Sequence, residues 1–308
     1  MDSVLECLSR GSRIAILRLR SLGDCVLTTP ALDILKRFRP DFRLAIFVEN
    51  RFREIFEGNR DLAEIHPPEL AALRRFRPQL CLNFHGGTRS AWMTELSGAR
   101  YRAGFGHYRQ QFVYNVRIPR AQEILHVDRK VHTAEHLASA VFFLGAPVSE
   151  IPRAKLFPAG PAPATVEPRS AIIHAVAATP EKTWGPANFL AVADHLAHSG
   201  VSPVFIGGLD DDLTPFRRYP TLQSSLSEVK SLLAAAALFI GNDSGPAHMA
   251  AAFGLPSVVI FGPSDPAIWG PWRTPGEVVA ADGGGTCGIG DVAVAQVLSA
   301  LQRLRVPA

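Results

Sequence analysis

The sequence has no apolar run long enough to cross a membrane. Its longest, Leu232 to Ile240, is far shorter than the roughly 20 residues that a bilayer requires. No secretory signal is expected, because the first residues carry Asp2 and Glu6 and form no continuous apolar core. The cysteines are few and include no C-x-x-C pair, which favours a reducing compartment over a disulfide framework; they are Cys7, Cys25, Cys81 and Cys287. We therefore predict a cytoplasmic protein.

Several patterns that carry chemistry are missing or incomplete. There is no G-K-[ST] loop for ATP hydrolysis, and the glycines of 283–288 fit G-x-G-x-x-G without a predicted strand before them, so no nicotinamide site is predicted. Residues 132–136 fit the zinc-protease pattern H-x-x-E-H, but no third ligand is indicated and no metal is expected. Without a zinc finger, helix-turn-helix or aromatic RNA-binding motif, nucleic acid is not an expected partner.

Positive charge is unevenly spread along the 308 residues. Residues 1–150 contain 22 basic and 16 acidic residues, a net charge of +6, whereas residues 151–308 contain 10 and 12, a net charge of −2. The excess in the first part is nearly all arginine, whose planar guanidinium suits bidentate binding of phosphate or carboxylate. The alternative interpretation is a set of solvated, arginine-rich helix faces.

Short aliphatic runs alternate with longer amphipathic segments in both parts of the chain, which predicts parallel sheets covered by helices. Strands are predicted at Ile14–Leu17, Leu44–Val48, Leu80–Phe84, Tyr101–Gly104, Ala171–His174, Pro203–Ile206, Leu238–Ile240 and Val258–Phe261. Helices are predicted at Cys25–Phe38, Arg51–Gly58, Glu69–Phe76, Thr88–Ser97, Thr133–Leu144, Pro186–His198, Ser227–Ala235, Ala247–Phe253 and Val292–Leu304.

A proline-rich segment, PAGPAPATVEP at Pro158–Pro168, has no hydrophobic periodicity and predicts an extended linker. We therefore predict an α/β protein with two Rossmann-like, doubly wound domains, residues 1–158 and 169–308, joined by a linker at 159–168. Ligands of such folds bind at the carboxyl edges of the parallel strands. A ligand site is accordingly expected in a cleft that the two edges share.

The most informative segment is LFIGNDSGPAHMAAAFG at Leu238–Gly254, where a predicted buried strand runs into a polar turn and a helix. The N–H groups at Ser244 and Gly245, with the positive end of the helix dipole, would hold a diphosphate. His248 in the first turn would add a donor. Alternatively, Asp243 or Ser244 only caps the helix, and His248 is an ordinary surface residue.

A second polar segment, TPEKTW at Thr179–Trp184, follows the strand predicted to end at His174. Lys182 would lie at the same sheet edge as Ser244 and would neutralise the charge on a departing phosphate. The alternative is an ordinary solvated lysine. The turn GPSDP at Gly262–Pro266 is expected at this edge too.

Near the N-terminus, LRLRSLGDCVLTTP at Leu17–Pro30 joins the first predicted strand to a helix. Gly23 permits a tight turn, and Asp24 would begin the helix at the carboxyl edge of the sheet. A carboxylate there is a candidate general base for an acceptor hydroxyl when bound substrate excludes water. The competing interpretation is a helix cap, because helix N–H groups stabilise the anion and weaken it as a base.

Together these segments resemble glycosyltransferase family 9, the bacterial heptosyltransferases of lipopolysaccharide core assembly, from about Ser12 to Leu301. The matching motifs are RLRSLGD at Arg18–Asp24, HGGTRS at His85–Ser90, the loop Pro180–Trp184, GNDSGPAH at Gly241–His248 and GPSDP at Gly262–Pro266. The last two, in this order and spacing, are the specific ones.

The resemblance implies a GT-B fold and an inverting transferase that uses no catalytic metal or other cofactor. It implies that Asp24 is the general base and that Lys182 stabilises the departing ADP. It places an ADP-sugar at the C-terminal domain, near Thr179, Lys182, Asp243, Ser244, Gly245 and His248. It further implies an anionic glycolipid acceptor at the inner membrane face, held by arginines for which the first candidates are Arg20, Arg51, Arg53 and Arg89.

Two departures from the family pattern leave alternatives open. HAVAAT at His174–Thr179 stands where the family has H-P-G-A-S, and Val176 cannot allow the close backbone approach that glycine gives. Arg20 replaces a small hydroxyl residue beside the candidate base. We therefore predict transfer of a heptose or related sugar from an ADP-sugar to a lipopolysaccharide core or similar glycolipid. The alternatives are a different donor, a relative that binds nucleotide-sugars without transferring them, and an epimerase of related fold.

Overall fold

The computed structural model describes residues 3–161, 163–177, 179–281 and 288–304. The chain divides into two compact units, Met1–Pro152 and Arg153–Ala308, so the boundary precedes the predicted linker. Part of the proline-rich segment packs on the second unit, since Val166 is buried and the Ser231 hydroxyl donates to the Gly160 carbonyl oxygen at 3.0 Å. These residues are therefore part of the second unit's packing.

The first unit is built on a six-stranded sheet. Its strands are β1 (Arg13–Leu17), β2 (Arg43–Phe47), β3 (Glu64–His66), β4 (Leu80–Asn83), β5 (Tyr101–Phe105) and β6 (Val116–Ile118). Its helices are α1 (Leu22–Phe38), α2 (Leu70–Phe76), α3 (Thr88–Glu95), α4 (Ala121–Leu125) and α5 (Thr133–Leu144), with 3-10 turns at Asn50–Ile55 and Gln111–Val113.

The second unit repeats this plan with another six-stranded sheet. Its strands are β7 (Ser170–His174), β8 (Ser202–Gly207), β9 (Thr221–Gln223), β10 (Leu238–Asn242), β11 (Ser257–Phe261) and β12 (Gly276–Ala280). Its helices are α6 (Pro186–His198), α7 (Leu226–Ala235), α8 (Gly245–Phe253), α9 (Pro266–Trp269) and α10 (Val294–Arg303), with 3-10 turns at Pro180–Lys182, Thr214–Phe216 and Ile289–Asp291.

Both sheets have the same strand order. The first runs β3-β2-β1-β4-β5-β6, and the second, counted from its own first strand, runs in the same 3-2-1-4-5-6 sequence. The strand pairs in both are parallel. This is the order of a Rossmann sheet, which helices cover on both faces. The predicted pair of doubly wound α/β sheets is confirmed.

The eight predicted strands are the four central strands of each sheet, and the four edge strands were missed. Helix α1 begins at Leu22, three residues before the predicted start at Cys25. The helix predicted at Arg51–Gly58 is only a 3-10 turn at Asn50–Ile55. Within the described ranges, no helix combines the length and the apolar character needed to span a bilayer.

Candidate active site

In the first unit, a candidate site lies where the strand order reverses, at the carboxyl ends of β1 and β4. From β1 the chain crosses through α1 to β2 on one side, while β4 lies on the other side of β1. The loops that leave these two strands diverge, and doubly wound sheets bind ligands at such a point. Asp24 follows β1 and His85 follows β4, so both belong to this edge.

Asp24 lies in the first turn of α1, where it acts as a helix cap. Its Oδ2 accepts a hydrogen bond from the Ser21 hydroxyl at 2.9 Å and another from the Ser21 backbone N–H at 3.3 Å. These contacts explain why the helix starts earlier than predicted, since they satisfy the N-terminus at Ser21. The Asp24 side chain keeps 21% of its surface exposed. Because the cap uses Oδ2, Oδ1 is left for other partners.

Arg18 also lies at this edge of the sheet, although no motif predicts a role for its side chain. Its guanidinium Nη1 lies 3.4 Å from Asp24 Oδ1, and the residue is 95% buried, with 5% exposure. Its buried Nε has no hydrogen-bond partner in the described part of the chain. Burying an arginine is costly unless an anion compensates it. The sequence signal was an arginine placed directly after a buried strand.

His85 lies beside this pair as a neutral imidazole. Burial, reinforced by the nearby Arg18 guanidinium, lowers the pKa of His85, although a backbone hydrogen bond to Arg20 partly opposes the shift. Its Nδ1 is buried and has no hydrogen-bond partner among the described residues. The edge therefore combines a carboxylate, a buried cation and a neutral imidazole.

The four arginines predicted to hold the acceptor are all exposed. Three have local protein partners: Arg51 Nη2 lies 2.8 Å from Glu49 Oε2, Arg53 donates to the Ile65 carbonyl oxygen at 2.9 Å, and Arg89 donates to the Pro68 carbonyl oxygen at 2.7 Å. Arg20 sits between Arg18 and the start of α1. Their acceptor-binding role stays a prediction.

The second unit has its own switch point, between β7 and β10. Ser244 is the N-cap residue of α8, yet in the described part of the chain its hydroxyl makes no capping bond. That hydroxyl lies 3.1 Å from Nδ1 of His174, at the end of β7. Burial lowers the pKa of His174 to about 4, so the imidazole is neutral. Its Nδ1 can therefore accept a hydrogen bond from the Ser244 hydroxyl. The positive end of the α8 dipole is therefore not closed off by the Ser244 side chain.

Lys182 is fixed at this edge by a buried carboxylate. Its Nζ donates to Asp243 Oδ2 at 2.9 Å, and the Asp243 side chain is 8% exposed while that of Lys182 is 35% exposed. A charge-assisted bond to a buried anion holds the ammonium in one place. Lys182 is thus not the freely solvated lysine of the alternative interpretation. Asp243, predicted to touch the donor, is the group that holds the lysine.

The loop that carries Lys182 is locked to its neighbours. The Trp184 ring is fully buried, and its indole N–H donates to the Val292 carbonyl oxygen at 2.8 Å. Its backbone N–H donates to Asn242 Oδ1 at 3.0 Å. At Gly262 an added Cβ would lie 2.7 Å from the Glu181 carbonyl oxygen, so only glycine fits there. Trp184 therefore packs in the core and offers no stacking face to a ligand.

The remaining predicted donor residues occupy different positions around this edge. Thr179 is exposed, and its carbonyl oxygen accepts from the Lys182 N–H at 3.1 Å. Gly245 is the first residue of α8. His248 is only 5% exposed, which contradicts the alternative of a surface histidine. Their contact with a donor is not tested by the geometry and stays a prediction.

The two histidines of the H-x-x-E-H pattern have separate structural roles. His132 Nδ1 accepts the Ala134 N–H at 3.1 Å as the cap of α5, and His136 stacks on Phe105 with ring centroids 3.9 Å apart. Among the residues described, no group of three or more His, Cys, Asp or Glu side chains is placed to hold a metal ion. The 283–288 glycine pattern lies almost wholly outside the described residues.

Comparison with known proteins decides the family. Residues 71–285 match the model of glycosyltransferase family 9 (heptosyltransferase). The chain belongs to glycosyltransferase family 9. It is therefore a glycosyltransferase, and the resemblance found in its motifs is confirmed. The match spans both the HGGTRS turn and the segments around Lys182 and Ser244.

Relatives of this family 9 chain are distant in sequence but match more than four-fifths of it. Lipopolysaccharide heptosyltransferase 3 of Escherichia coli is 26% identical over 293 residues, covering 82% of this chain and 84% of the relative. Lipopolysaccharide heptosyltransferase 1 of Pseudomonas aeruginosa is 24% identical over 302 residues, covering 84% and 81%.

Solved structures confirm the GT-B fold. A family 9 glycosyltransferase from Veillonella parvula superposes with a TM-score of 0.83 at 21% identity, covering 96% of this chain and 98% of that one. The E. coli ADP-heptose lipopolysaccharide heptosyltransferase II superposes with a TM-score of 0.79 at 18% identity, covering 95% and 98%.

Proposed function

We propose that this family 9 glycosyltransferase moves a heptose or a related sugar from an ADP-sugar to a lipopolysaccharide core or similar glycolipid. The proposal includes inversion at the anomeric carbon, no catalytic metal, and action in the cytoplasm at the inner membrane face. The observation that carries it is the Lys182 ammonium, held by buried Asp243 beside the open N-terminus of α8. Two relatives named lipopolysaccharide heptosyltransferases support the acceptor class.

The donor side of the proposal rests on the second unit. The helix dipole and the N–H groups at the start of α8 favour a diphosphate, and Lys182 supplies a full positive charge beside it. An E. coli heptosyltransferase solved with ADP superposes with a TM-score of 0.77 at 19% identity. As ADP leaves, the bond between the anomeric carbon and its phosphate oxygen breaks, and the electron pair of that bond passes to the ADP oxygen. Lys182 stabilises that developing charge.

The acceptor side rests on Asp24. The acceptor hydroxyl oxygen forms the new bond to the anomeric carbon, and its proton passes to Asp24. The cap occupies Oδ2, so Oδ1, which faces Arg18, is the atom proposed to receive the proton. A carboxylate offers about four lone-pair positions, so capping and proton transfer are compatible.

Replacing Asp24 by asparagine tests this assignment, because the amide keeps the shape of the side chain but cannot take a proton. We expect the Asp24→Asn variant to lose transfer by about 10²-fold or more, the range of general-base catalysis, while ADP binding is unchanged. The measurement is ADP release coupled to glycosylation of a lipopolysaccharide-core acceptor, with ADP affinity from a thermal shift.

Asp41→Asn is the matched control, since Asp41 also pairs with an arginine, Arg39, but precedes β2 at the opposite edge of the sheet. Its turnover should stay at the wild-type level. Full turnover by Asp24→Asn would remove Asp24 as the base. Binding of ADP-sugar without any transfer by the wild type would favour the nucleotide-sugar-binding alternative.

The donor nucleotide, the metal dependence and the stereochemistry of transfer are each measured separately. A thermal-shift panel of ADP-, UDP- and GDP-sugars identifies the donor, because the preferred ligand stabilises the protein most. Turnover that survives EDTA supports the metal-independent mechanism. The anomeric configuration of the product, read by NMR, tests inversion.

A further inference from the structure

The positive charge of the first unit is concentrated in one stretch of the chain. Residues 70–120 contain nine arginines, no lysine, and Glu95 as the one acidic residue, so their net charge is +8. The chain as a whole carries +4, which leaves −4 for all other residues. Eight of the nine are exposed: Arg74, Arg75, Arg77, Arg89, Arg100, Arg109, Arg117 and Arg120.

Three large hydrophobic side chains are exposed in the same stretch. Trp92 is 49% exposed, Leu96 43% and Phe112 64%. The Trp92 and Phe112 rings meet edge-on with centroids 6.4 Å apart. Leu96 follows Trp92 by one helical turn, since its N–H donates to the Trp92 carbonyl oxygen at 3.0 Å. We call these three side chains the Trp92 patch; contiguous exposed apolar groups mark interaction sites, whereas scattered ones do not.

Three arginines lie next to the Trp92 patch, one in contact with it and two close to it along the chain. Arg89 precedes Trp92 by three residues and Arg109 precedes Phe112 by three, while Arg74 Nε donates to the Leu96 carbonyl oxygen at 2.8 Å. The loop that carries Phe112 is tied to α3, because the Gln110 amide donates to the Thr88 hydroxyl at 3.0 Å. The patch therefore rests on a helix and a fixed loop.

We propose that the Trp92 patch and the arginines next to it bind the surface of an anionic phospholipid bilayer. Tryptophan and phenylalanine insert at the headgroup boundary of membranes, and clustered basic residues are attracted to anionic lipids. The inference rests on the proposed function, since a glycolipid acceptor would be presented at a membrane. It adds the surface of the enzyme that makes the contact, on the unit proposed to bind that acceptor.

Vesicle co-sedimentation tests the proposal with the full-length protein. The wild type should bind vesicles of 70% phosphatidylcholine and 30% phosphatidylglycerol, and bind pure phosphatidylcholine far less. Raising the ionic strength from 0.1 M to 1 M shortens the Debye length from about 10 Å to about 3 Å and should weaken binding. The Trp92→Gln/Phe112→Gln variant should bind at least tenfold less. The Arg74→Gln/Arg109→Gln variant should bind about 25-fold less, at roughly fivefold for each arginine removed.

Matched controls change equally exposed groups elsewhere. Val148→Gln/Leu209→Gln removes side chains that are 71% and 69% exposed outside the patch, and Arg217→Gln removes an exposed arginine of the second unit. These variants should bind anionic vesicles as the wild type does. Wild-type affinity in Trp92→Gln/Phe112→Gln, or equal binding to both vesicle types, would overturn the proposal. So would binding of the wild type to heparin but not to anionic vesicles, which would point to a soluble polyanion.

Turnover with a water-soluble, deacylated acceptor separates this proposal from the proposed function. Trp92→Gln/Phe112→Gln should retain wild-type turnover on that acceptor and lose it selectively on acceptor embedded in vesicles. If the wild type binds anionic vesicles through the patch but transfers no sugar to either acceptor, the proposed function fails and the membrane surface stands.

Discussion

At the scale of single residues, Arg18 is the group whose position says most about Asp24. A buried guanidinium 3.4 Å from Oδ1 fixes the carboxylate from the side opposite to the Ser21 cap. We regard Arg18 as a positioning residue for the proposed base. Replacing it by methionine keeps the apolar stem but removes the charge, so Asp24 loses its orientation on one side.

We expect the Arg18→Met variant to lower kcat by about 10- to 100-fold, because displacements of about 1 Å cost that much. The affinity for ADP should not change, since the cradle for the diphosphate belongs to the other unit. Arg18→Lys, which keeps the charge but not the planar fork, should recover part of kcat. Thermal unfolding of each variant checks that the fold survives. An unchanged kcat in Arg18→Met would show that Asp24 needs no such support.

The sequence predicts which residues lie at the candidate site, but it does not predict which of them bond to one another. Three site residues follow predicted strands within recognisable motifs, namely Asp24, Lys182 and Ser244. The sequence therefore places them at the carboxyl edges of the parallel sheets. The partnership of Ser244 with His174 joins residues 70 positions apart and becomes visible only when β7 and β10 pair. The same holds for Asp243, whose role as the holder of Lys182 depends on the path of a distant loop.

At the scale of elements, the locked loop around Lys182 makes a glycine indispensable. An alanine at Gly262 would place its Cβ 2.7 Å from the Glu181 carbonyl oxygen and 3.2 Å from the Ile289 Cβ, so the Lys182 loop must move. We expect Gly262→Ala to lose about 1–3 kcal/mol of stability, or roughly 2–10 °C in Tm. Its affinity for ADP should fall with it.

Gly290→Ala is the control, because a Cβ at Gly290 meets nothing within 4 Å and the residue lies in the neighbouring 3-10 turn. Differential scanning calorimetry and ADP titration measure both effects. Wild-type affinity and Tm in Gly262→Ala would mean that the Glu181 segment adapts at no cost, and that Lys182 is not held by this contact.

Elements were predictable in proportion to their burial. Seven of the eight central strands are mostly apolar and buried along nearly their whole length, and the eighth, β5, is buried over its last three residues; the sequence predicts all eight. The missed edge strands are short or half-exposed; β3 is Glu-Ile-His, and β9 is Thr-Leu-Gln. Such segments lack the apolar run that identifies a buried strand, and only pairing with a neighbour defines them. Helix α1 starts earlier than predicted because Ser21 and Asp24 form a capping box, which makes the residues between them part of the first helical turn.

At the scale of the whole molecule, both units repeat one plan, and each keeps a neutral histidine next to its sheet, buried in the second unit and partly buried in the first. In the second unit this is His174, and in the first it is His136, stacked on Phe105. Burial lowers the pKa of each to about 4, aided at His136 by His107 and Arg18. An unfolded histidine titrates near 6.5, so the unfolded chain binds more protons between about pH 6.5 and pH 4.

The free energy of unfolding should therefore fall as the pH drops from about 6.5 to about 4. At one pKa unit per 1.36 kcal/mol, His174 alone contributes a loss on the order of 3 kcal/mol over this range. His174→Gln removes the titrating group, so its stability should decline less steeply with acid than that of the wild type. Urea unfolding followed by tryptophan fluorescence measures this, because three of the four tryptophans lie in the second unit. The control is His198→Gln, which replaces an exposed histidine and should leave the pH dependence of unfolding as in the wild type. If the free energy of unfolding of His174→Gln fell as steeply with acid as that of the wild type, His174 would not be the source of the acid sensitivity.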